Sequence, residues 1–251
     1  GAFQAVGHLG LWAATGVISY TLYHQQLWIG FGVALFLHGT VGSFFKGTAV
    51  HELGHATVFT TKWLNRSFLR IYSLFGWWIY HDYAMSHTYH HRYTLHPEGD
   101  REVVLPRNPM LRFLNLLQLL TVNITFRTES NGIIPTVRRV LWTAFNRYDD
   151  DWIKALYESH PEARREAVHW ARFVLVFHVI STGIFIAIGQ PILAVLLSGH
   201  VFIGNWLKHF VGLPMHCGLR DNVADFRLCV RSITLDPISE FLYWHMNWHT
   251  E

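Results

Sequence analysis

The sequence predicts an all-α integral membrane protein, with four transmembrane helices in two hairpins and a helical cap on the cytoplasmic side. Of its 251 residues, 51% are hydrophobic and only 15% are charged, whereas soluble domains have about 25% charged residues. Residues 1–45 and 173–207 contain no Asp, Glu, Lys or Arg at all. Each of these blocks is too long for one crossing, because roughly 20 apolar residues span a bilayer.

A break near the middle of each charge-free block divides it into two predicted helices. Polar residues 23–26 interrupt the first block, and Gly189-Gln190-Pro191 interrupts the second. Proline fixes its own φ and favours the first position of a new helix. We therefore expect membrane-crossing helices near residues 6–23, 27–45, 169–188 and 191–208.

The basic residues predict which side of the membrane the remaining segments occupy. All 20 Lys and Arg residues lie from Lys46 onward, and the turns inside the two hairpins contain none. Because cytoplasmic loops are enriched in Lys and Arg, the middle and C-terminal segments are expected together in the cytoplasm. A basic face of this kind suits anionic lipids or an acidic partner protein, and no feature indicates nucleic-acid binding.

A first histidine group follows the second predicted helix. His51 and His55 stand four residues apart, so on a helix both imidazoles share one face and could bind one metal. They also match the H-E-x-x-H pattern of zinc proteases, in which Glu52 would be the general base. Taken alone, this motif supports a metalloprotease as well as any other metal site.

A second group, downstream of the first, disfavours the protease. His87, His90 and His91 stand at positions i, i+3 and i+4, which again form one helical face. A protease zinc needs only one more protein ligand, since water takes the fourth position. Three further histidines exceed that need, and with the C-terminal histidines they are enough for two metals.

The C-terminal region supplies the remaining candidate ligands, which are His209, His216, His245 and His249. Asn205 and His209 are four residues apart at the end of the fourth predicted helix, and His245 and His249 share that spacing. The alternative interpretation is a set of interfacial polar residues. Since the sequence stops two residues after His249, we expect a chain truncated at both ends and cut within a third histidine group.

Together, the groups resemble the three boxes of the membrane fatty acid desaturase and hydroxylase superfamily, H-x(3,4)-H, H-x(2,3)-H-H and (H/Q)-x(2,3)-H-H. The segment 51–55 is similar to the first box, 87–91 to the second, and 249–251 to part of the third. His209 with Asn205 resembles an extra ligand position before the last box, for which His216 is a competing candidate. The resemblance rests on the order of the boxes around two hairpins. It implies one domain, residues 1–251.

The resemblance implies a non-haem di-iron enzyme that uses O₂ to introduce a double bond into a lipid acyl chain. The implied iron ligands are His51, His55, His87, His90, His91, His209 and His249, with His216, His245 and Asn205 as additional candidates. Polar groups near the boxes that could orient the imidazoles are Glu52, Asp82, His96 and Asp100. The expected partners are a lipid or fatty acyl substrate, the membrane, and an electron donor of the ferredoxin or cytochrome b5 type.

Several alternatives stay open at the level of sequence. Imidazole suits iron, zinc and copper, so zinc as a substituted metal is an alternative to the two irons. A hydroxylase or a terminal-alkene-forming oxidase would use the same scaffold and the same ligands. An intramembrane zinc protease would need only the first box, and a metal transporter or sensor would place its ligands along the crossing helices.

Overall fold

Helices account for most of the described structure and confirm the all-α prediction. The computed structural model describes residues 1–102, 111–125 and 132–248, in which the β contact is one isolated bridge between Val122 and Ile203. The helices are α1 (Ala2–His24), α2 (Trp28–Ser43), α3 (Val50–Gly54), α4 (Lys62–Phe75), α5 (Tyr80–Tyr93), α6 (Phe113–Leu120), α7 (Ile133–Ala144), α8 (Asp151–Ser159), α9 (Pro161–Ala187), α10 (Pro191–Ala194), α11 (Trp206–Gly212) and α12 (Pro237–Leu242).

Two tight turns separate the predicted helix pairs where the sequence breaks. Gln26 in the α1–α2 turn has a φ of 57°, and Gly189 in the α9–α10 turn has a φ of 71°. Pro191 then starts α10 at its first position, where the missing N–H costs no helical hydrogen bond. α1 packs along α2, and α9 packs along α10.

The prediction of one continuous helix over residues 191–208 is wrong in its second half. α10 continues through a π-helical turn and a 3₁₀ turn to Phe202, and Ile203 is then extended. Gly204 has a φ of 60°, and a Cβ there would lie 2.8 Å from Thr40 Oγ1. Only glycine allows this close approach to α2, so the chain turns and restarts as α11.

The second predicted helix also extends further than expected, and with a break. After α2, Lys46 is extended (φ −90°, ψ 141°) and Gly47 has a φ of 83°, and the chain then resumes as α3. A Cβ on Gly47 would lie 2.7 Å from Lys208 Nζ. The first histidine box therefore lies on a short helix of its own, whose direction is set at Gly47.

Two segments within the described ranges are long and apolar enough to cross a membrane, Trp28–Gly54 and Pro161–Ala187. Pro191–Phe202 is apolar but shorter. On α9, the side chains of Phe173, Val176 and Ile180 are exposed, as expected for a helix in contact with lipid. The finding covers two of the four predicted crossings, and the four-helix topology remains a prediction.

Buried histidines outside the boxes connect the helices through neutral hydrogen bonds. The His8 ring donates from Nε2 to the Val41 carbonyl (2.9 Å) and accepts at Nδ1 from the Trp244 indole (2.9 Å). It therefore joins α1 to the end of α2 and to the segment after α12. Both ring nitrogens of His8 are satisfied, which makes this histidine structural.

His178 has the same role between α9 and α4. Its Nε2 donates to the Leu74 carbonyl (2.9 Å), its Nδ1 accepts from the Ser198 hydroxyl (2.8 Å), and its ring stacks on Trp77 at 3.9 Å. Leu74 lies at the end of α4, where helical carbonyls lose their intrahelical partners. The imidazole adds a second donor to this carbonyl, which also accepts from the Trp77 N–H at 3.2 Å.

The charged region 138–165 forms the predicted helical cap and holds α5 in place. Asp82 in the first turn of α5 accepts a 2.6 Å hydrogen bond from Arg139, and Ser86 accepts one of 3.0 Å from the Trp152 indole. An apolar core then packs α5 and the residue before it against α7, α8 and α9; its buried members are Ile79, Val140, Ala144, Tyr157, Ala167, Ala171 and Val174. The cytoplasmic location of this cap remains a prediction.

We expect His8→Leu to destabilise the protein, because it leaves the Trp244 indole N–H buried without a partner and leaves the Val41 carbonyl with the long 3.4 Å hydrogen bond from the Phe44 N–H. A buried polar group without a partner costs about 1–3 kcal/mol, and about 1 kcal/mol moves the unfolding midpoint by roughly 2–4 °C in a chain of this size. Thermal unfolding of the purified protein measures the effect. The matched control is the exposed His169→Leu on α9; equal midpoints for both variants would contradict the structural role of His8.

Candidate metal centre

The first and second boxes meet across α3 and α5. His51 and His55 share one face of α3, and His87 and His91 share one face of α5. One potential ligand atom from each of the four residues lies within 4.8 Å of the others. We call these residues the four-histidine group. Their i, i+4 spacing was visible in the sequence, whereas their convergence comes from the packing of α5 on α3.

Three ring nitrogens of this group form a small triangle. His87 Nε2 lies 3.1 Å from His55 Nε2 and 2.9 Å from His91 Nε2, and the third side, between His55 and His91, measures 3.3 Å. Metal–imidazole bonds of about 2.0–2.1 Å place neighbouring ligand atoms about 2.9–3.4 Å apart. The triangle therefore has the dimensions of one face of a metal coordination shell.

Carboxylates on the far side of the rings fix which nitrogen carries the proton. His87 Nδ1 donates to the two oxygens of Glu102 at 3.0 and 3.1 Å, and His51 Nδ1 donates to Glu52 Oε1 at 2.8 Å. A neutral imidazole with a protonated Nδ1 presents an unprotonated Nε2. Both rings are thus prepared to bind a cation, and carboxylate partners of this kind orient histidine ligands in metal sites.

His90 and His216 form a second pair beside the four-histidine group. Their rings lie 5.4 Å apart. His90 Nδ1 donates to Asp100 Oδ2 (2.8 Å), and His216 Nδ1 donates to the Cys229 carbonyl (3.1 Å). Each Nε2 is therefore unprotonated, as in His87. The pair offers two imidazole donors for a second metal.

Asp100 is the most strongly held of the carboxylates. Burial raises its pKa, but the hydrogen bond from His90 and those from the backbone N–H groups of Leu95 and Glu102 together lower it below the usual value. The Leu95 and Glu102 amides lie 2.9 and 3.0 Å from its oxygens. Asp100 stays ionised and keeps the His90 proton on Nδ1.

Two other candidate ligands lie in or directly before α11. His209 is buried in α11 with its ring 5.5 Å from Phe210, and it belongs to neither histidine set among the described residues. Asn205 accepts from Asn123 (3.0 Å) and donates to the Val201 carbonyl (2.9 Å). Its amide thus supports the α10–α11 turn.

The remaining C-terminal candidates are His245 and His249. His245 lies at the surface with its Nδ1 3.6 Å from Glu240 Oε1. It belongs to neither histidine set among the described residues. His249 and the rest of the third box lie outside those residues, so its role as a ligand remains a prediction.

Of the predicted orienting groups, Glu52 and Asp100 contact imidazoles of the boxes, and Asp82 and His96 do not. Asp82 pairs with Arg139. His96 Nδ1 accepts from the backbone N–H groups of residues 98 and 99 and so shapes the turn before Asp100.

Sequence reasoning missed Glu102, the partner of His87. Its position two residues after Asp100 was the available signal, since both carboxylates leave the same turn. Tyr83, four residues before His87 on α5, stacks its ring on that of His87 at 5.0 Å.

A cavity of about 310 Å³ opens beside the four-histidine group. All four histidines line it, together with apolar side chains such as Val50 and Leu69 and the rings of Tyr80 and Tyr83. Its volume is at the lower end of the range for small-molecule sites. A segment of an apolar ligand could therefore lie against the unprotonated ring nitrogens.

The family model described as fatty acid desaturase matches residues 26–251, which include both complete boxes. The chain belongs to the fatty acid desaturase family. No curated protein and no solved structure matches it. Membership confirms the resemblance noted in the sequence.

Membership of the desaturase family implies that the chain is an oxidoreductase of lipid metabolism. Proteins of this family are membrane-associated. The zinc-protease alternative loses its support, because the match extends over residues well beyond the H-E-x-x-H motif. The Glu52 carboxylate accepts a hydrogen bond from His51 Nδ1 at 2.8 Å, and burial raises the pKa of Glu52 to about 7.

We expect Asp100→Asn to weaken metal binding by this desaturase-family chain about 10- to 100-fold, the usual cost of removing a group that orients a histidine ligand. An amide at this position no longer enforces a proton on His90 Nδ1. Metal retained per chain after dialysis against a chelator measures the effect. Glu98→Gln is the control, because this exposed residue lies in the same turn; equal metal retention by both variants would refute the assigned role.

Proposed function

We propose that the chain is an integral membrane, O₂-dependent, non-haem di-iron desaturase that introduces a double bond into a lipid acyl chain. One observation carries the proposal: the Nε2 atoms of His55, His87 and His91 lie 2.9–3.3 Å apart with the lone pair of His87 directed at the other two rings. Ring nitrogens at these distances can all bind one cation.

The donor set fits iron. The four-histidine group would hold one ion, and His90 with His216 would begin the coordination of a second, to which His249 is the proposed further ligand. Among the C-terminal candidates, His216 is favoured over His209 because it faces His90. Zinc would fit the same nitrogens, but removal of hydrogen from an unactivated C–H bond needs a redox-active metal, which zinc is not.

When bound, the two irons would supply the oxidising chemistry by activating O₂ with two electrons from a donor protein. The residues of the chain bind and orient the reactants. Glu52, Glu102 and Asp100 keep protons on Nδ1 atoms and so keep the metal-facing nitrogens unprotonated. Tyr83, stacked on His87, restrains the ring and forms one wall of the cavity.

The cavity orients the substrate. Its apolar lining excludes water from the acyl segment, and the four histidines limit where a C–H bond can approach the metals. Position relative to the metals decides between removal of a second hydrogen and insertion of a hydroxyl group. We propose desaturation as the principal outcome; hydroxylation and terminal-alkene formation would use the same ligands.

The membrane arrangement belongs to the proposal as well. Four crossings, with the histidine boxes on the cytoplasmic side, agree with the basic residues from Lys46 onward and with the two spans found by length and composition. A basic cytoplasmic face would also suit an acidic electron donor of the ferredoxin or cytochrome b5 type.

Iron analysis tests the metal proposal. We expect two irons per chain in the full-length protein. His87→Ala should lose about one iron, because it removes one of the three Nε2 atoms of the triangle. His169→Ala, an exposed histidine remote from the boxes, should keep both. Retention of both irons by His87→Ala would exclude the four-histidine group as an iron site.

Product analysis tests the reaction. With reductant, an electron donor and O₂, mass spectrometry of the lipid products should show loss of two hydrogen atoms per acyl chain, and His90→Ala should abolish this activity. Addition of one oxygen atom instead would show that the enzyme is a hydroxylase and would contradict the proposed desaturation. Full activity of His90→Ala, together with loss of activity in Glu52→Gln, would instead support the zinc-protease alternative.

A further inference from the structure

One face of α5 forms a continuous wall of the cavity beside the four-histidine group. The residues on this wall follow a helical repeat of i, i+3, i+4, i+7, i+8, i+11 and i+12, and they are Tyr80, Tyr83, Ala84, His87, Thr88, His91 and Arg92. At 1.5 Å per residue the wall is about 18 Å long. A ligand in the cavity can therefore contact several turns of α5 at once.

The chemistry of the wall changes along its length. Tyr80 lies at the start of α5 and packs in an apolar cluster with Val50 and Leu69. His87 lies near the middle of α5, and His91 and Arg92 lie in its last turn. Arg92 is the one Lys or Arg among the residues lining the cavity. The cavity thus has an aromatic and aliphatic end at Tyr80 and a cationic end at Arg92, with His87 between them.

Arg92 differs from several other arginines of the described structure in its surroundings. Arg138, Arg139 and Arg227 each pair with an aspartate. Arg92 is exposed, and no carboxylate of the described residues forms an ion pair with it. Its guanidinium is a planar donor that can hold a carboxylate or phosphate through two hydrogen bonds.

We propose that Arg92 binds the anionic group of the substrate, so that this enzyme acts on acyl chains that carry a carboxylate or a phosphate. The inference rests on the proposed function and specifies its substrate class. An anion on Arg92 would direct the chain past His91 and His87 toward the apolar end at Tyr80.

The geometry also indicates which part of the chain reacts. His87 and Arg92 are five residues apart on α5, or about 7.5 Å along the helix axis. The reacting carbons therefore lie on the order of 10 Å from the anionic group, which is about half the length of an extended hexadecanoic acid chain.

Ligand binding to the metal-loaded protein without reductant tests this assignment, because no turnover occurs. The probes are hexadecanoic acid, its methyl ester and lysophosphatidic acid, and the readout is the dissociation constant. We expect Arg92→Ala to weaken binding of an anionic probe about 10- to 100-fold, as for the loss of a charged hydrogen bond. Arg92→Lys should lose less, and the methyl ester should bind all variants alike.

Arg66→Ala on α4 is the matched control, an exposed arginine outside the cavity lining; it should bind as the wild type does. A loss confined to hexadecanoic acid assigns Arg92 to a carboxylate, and one confined to lysophosphatidic acid assigns it to a phosphate.

Equal affinity of Arg92→Ala and the wild type for both anions would overturn the proposal. So would anion binding that survives Arg92→Ala and disappears when the metal is removed, because the metal itself would then hold the anion. Either failure would leave the iron and product tests of the proposed function unaffected.

Discussion

The candidate centre depends on one electrostatic constraint, the meeting of unprotonated ring nitrogens in a small volume. His87 cannot donate from Nε2, because its proton is held on Nδ1 by Glu102, and this Nε2 has two other ring nitrogens within 3.1 Å. Its lone pair therefore needs a positive partner, which is either an N–H of His55 or His91 or a bound cation. The rings keep this position because Arg139 and Trp152 hold α5 through Asp82 and Ser86. The fold thus gives the site rigidity, and a metal ion would bind to nitrogens that are already held in place.

The histidines of this chain divide into two classes by the partners of their second nitrogen. His8 and His178 use both nitrogens in hydrogen bonds to carbonyl, indole or hydroxyl groups, and so they are satisfied as neutral parts of the core. His87, His90 and His51 instead place Nδ1 on a carboxylate and turn Nε2 toward other imidazoles. A carboxylate increases the basicity of the imidazole, which favours a cation. This difference in partners, more than burial or number, separates His51, His87 and His90 from the structural histidines His8 and His178.

Local features of the site could be predicted from the sequence, and long-range features could not. The i, i+4 spacing of His51 and His55 fixes a shared helical face wherever the helix lies. The proximity of His216 to His90 depends on how the chain folds back after α11, which no local spacing encodes. The break at Gly204 was missed for the same reason, since the glycine is needed only because Thr40 and the α2 backbone approach it. Glu102 was missed because its role depends on the turn that His96 shapes.

The link between the membrane segment and the metal centre lies at Lys46 and Gly47. An unbroken helix from Trp28 onward would fix the direction of the first box from the tilt of α2 alone. The extended Lys46 and the left-handed Gly47 remove that dependence, so α3 takes its direction from its packing against α4 and α5. Glycine is required, because a side chain would have both a positive φ and Lys208 Nζ within 2.7 Å of its Cβ. The direction of the long apolar helix α2 is therefore independent of the packing that brings the first box against the second.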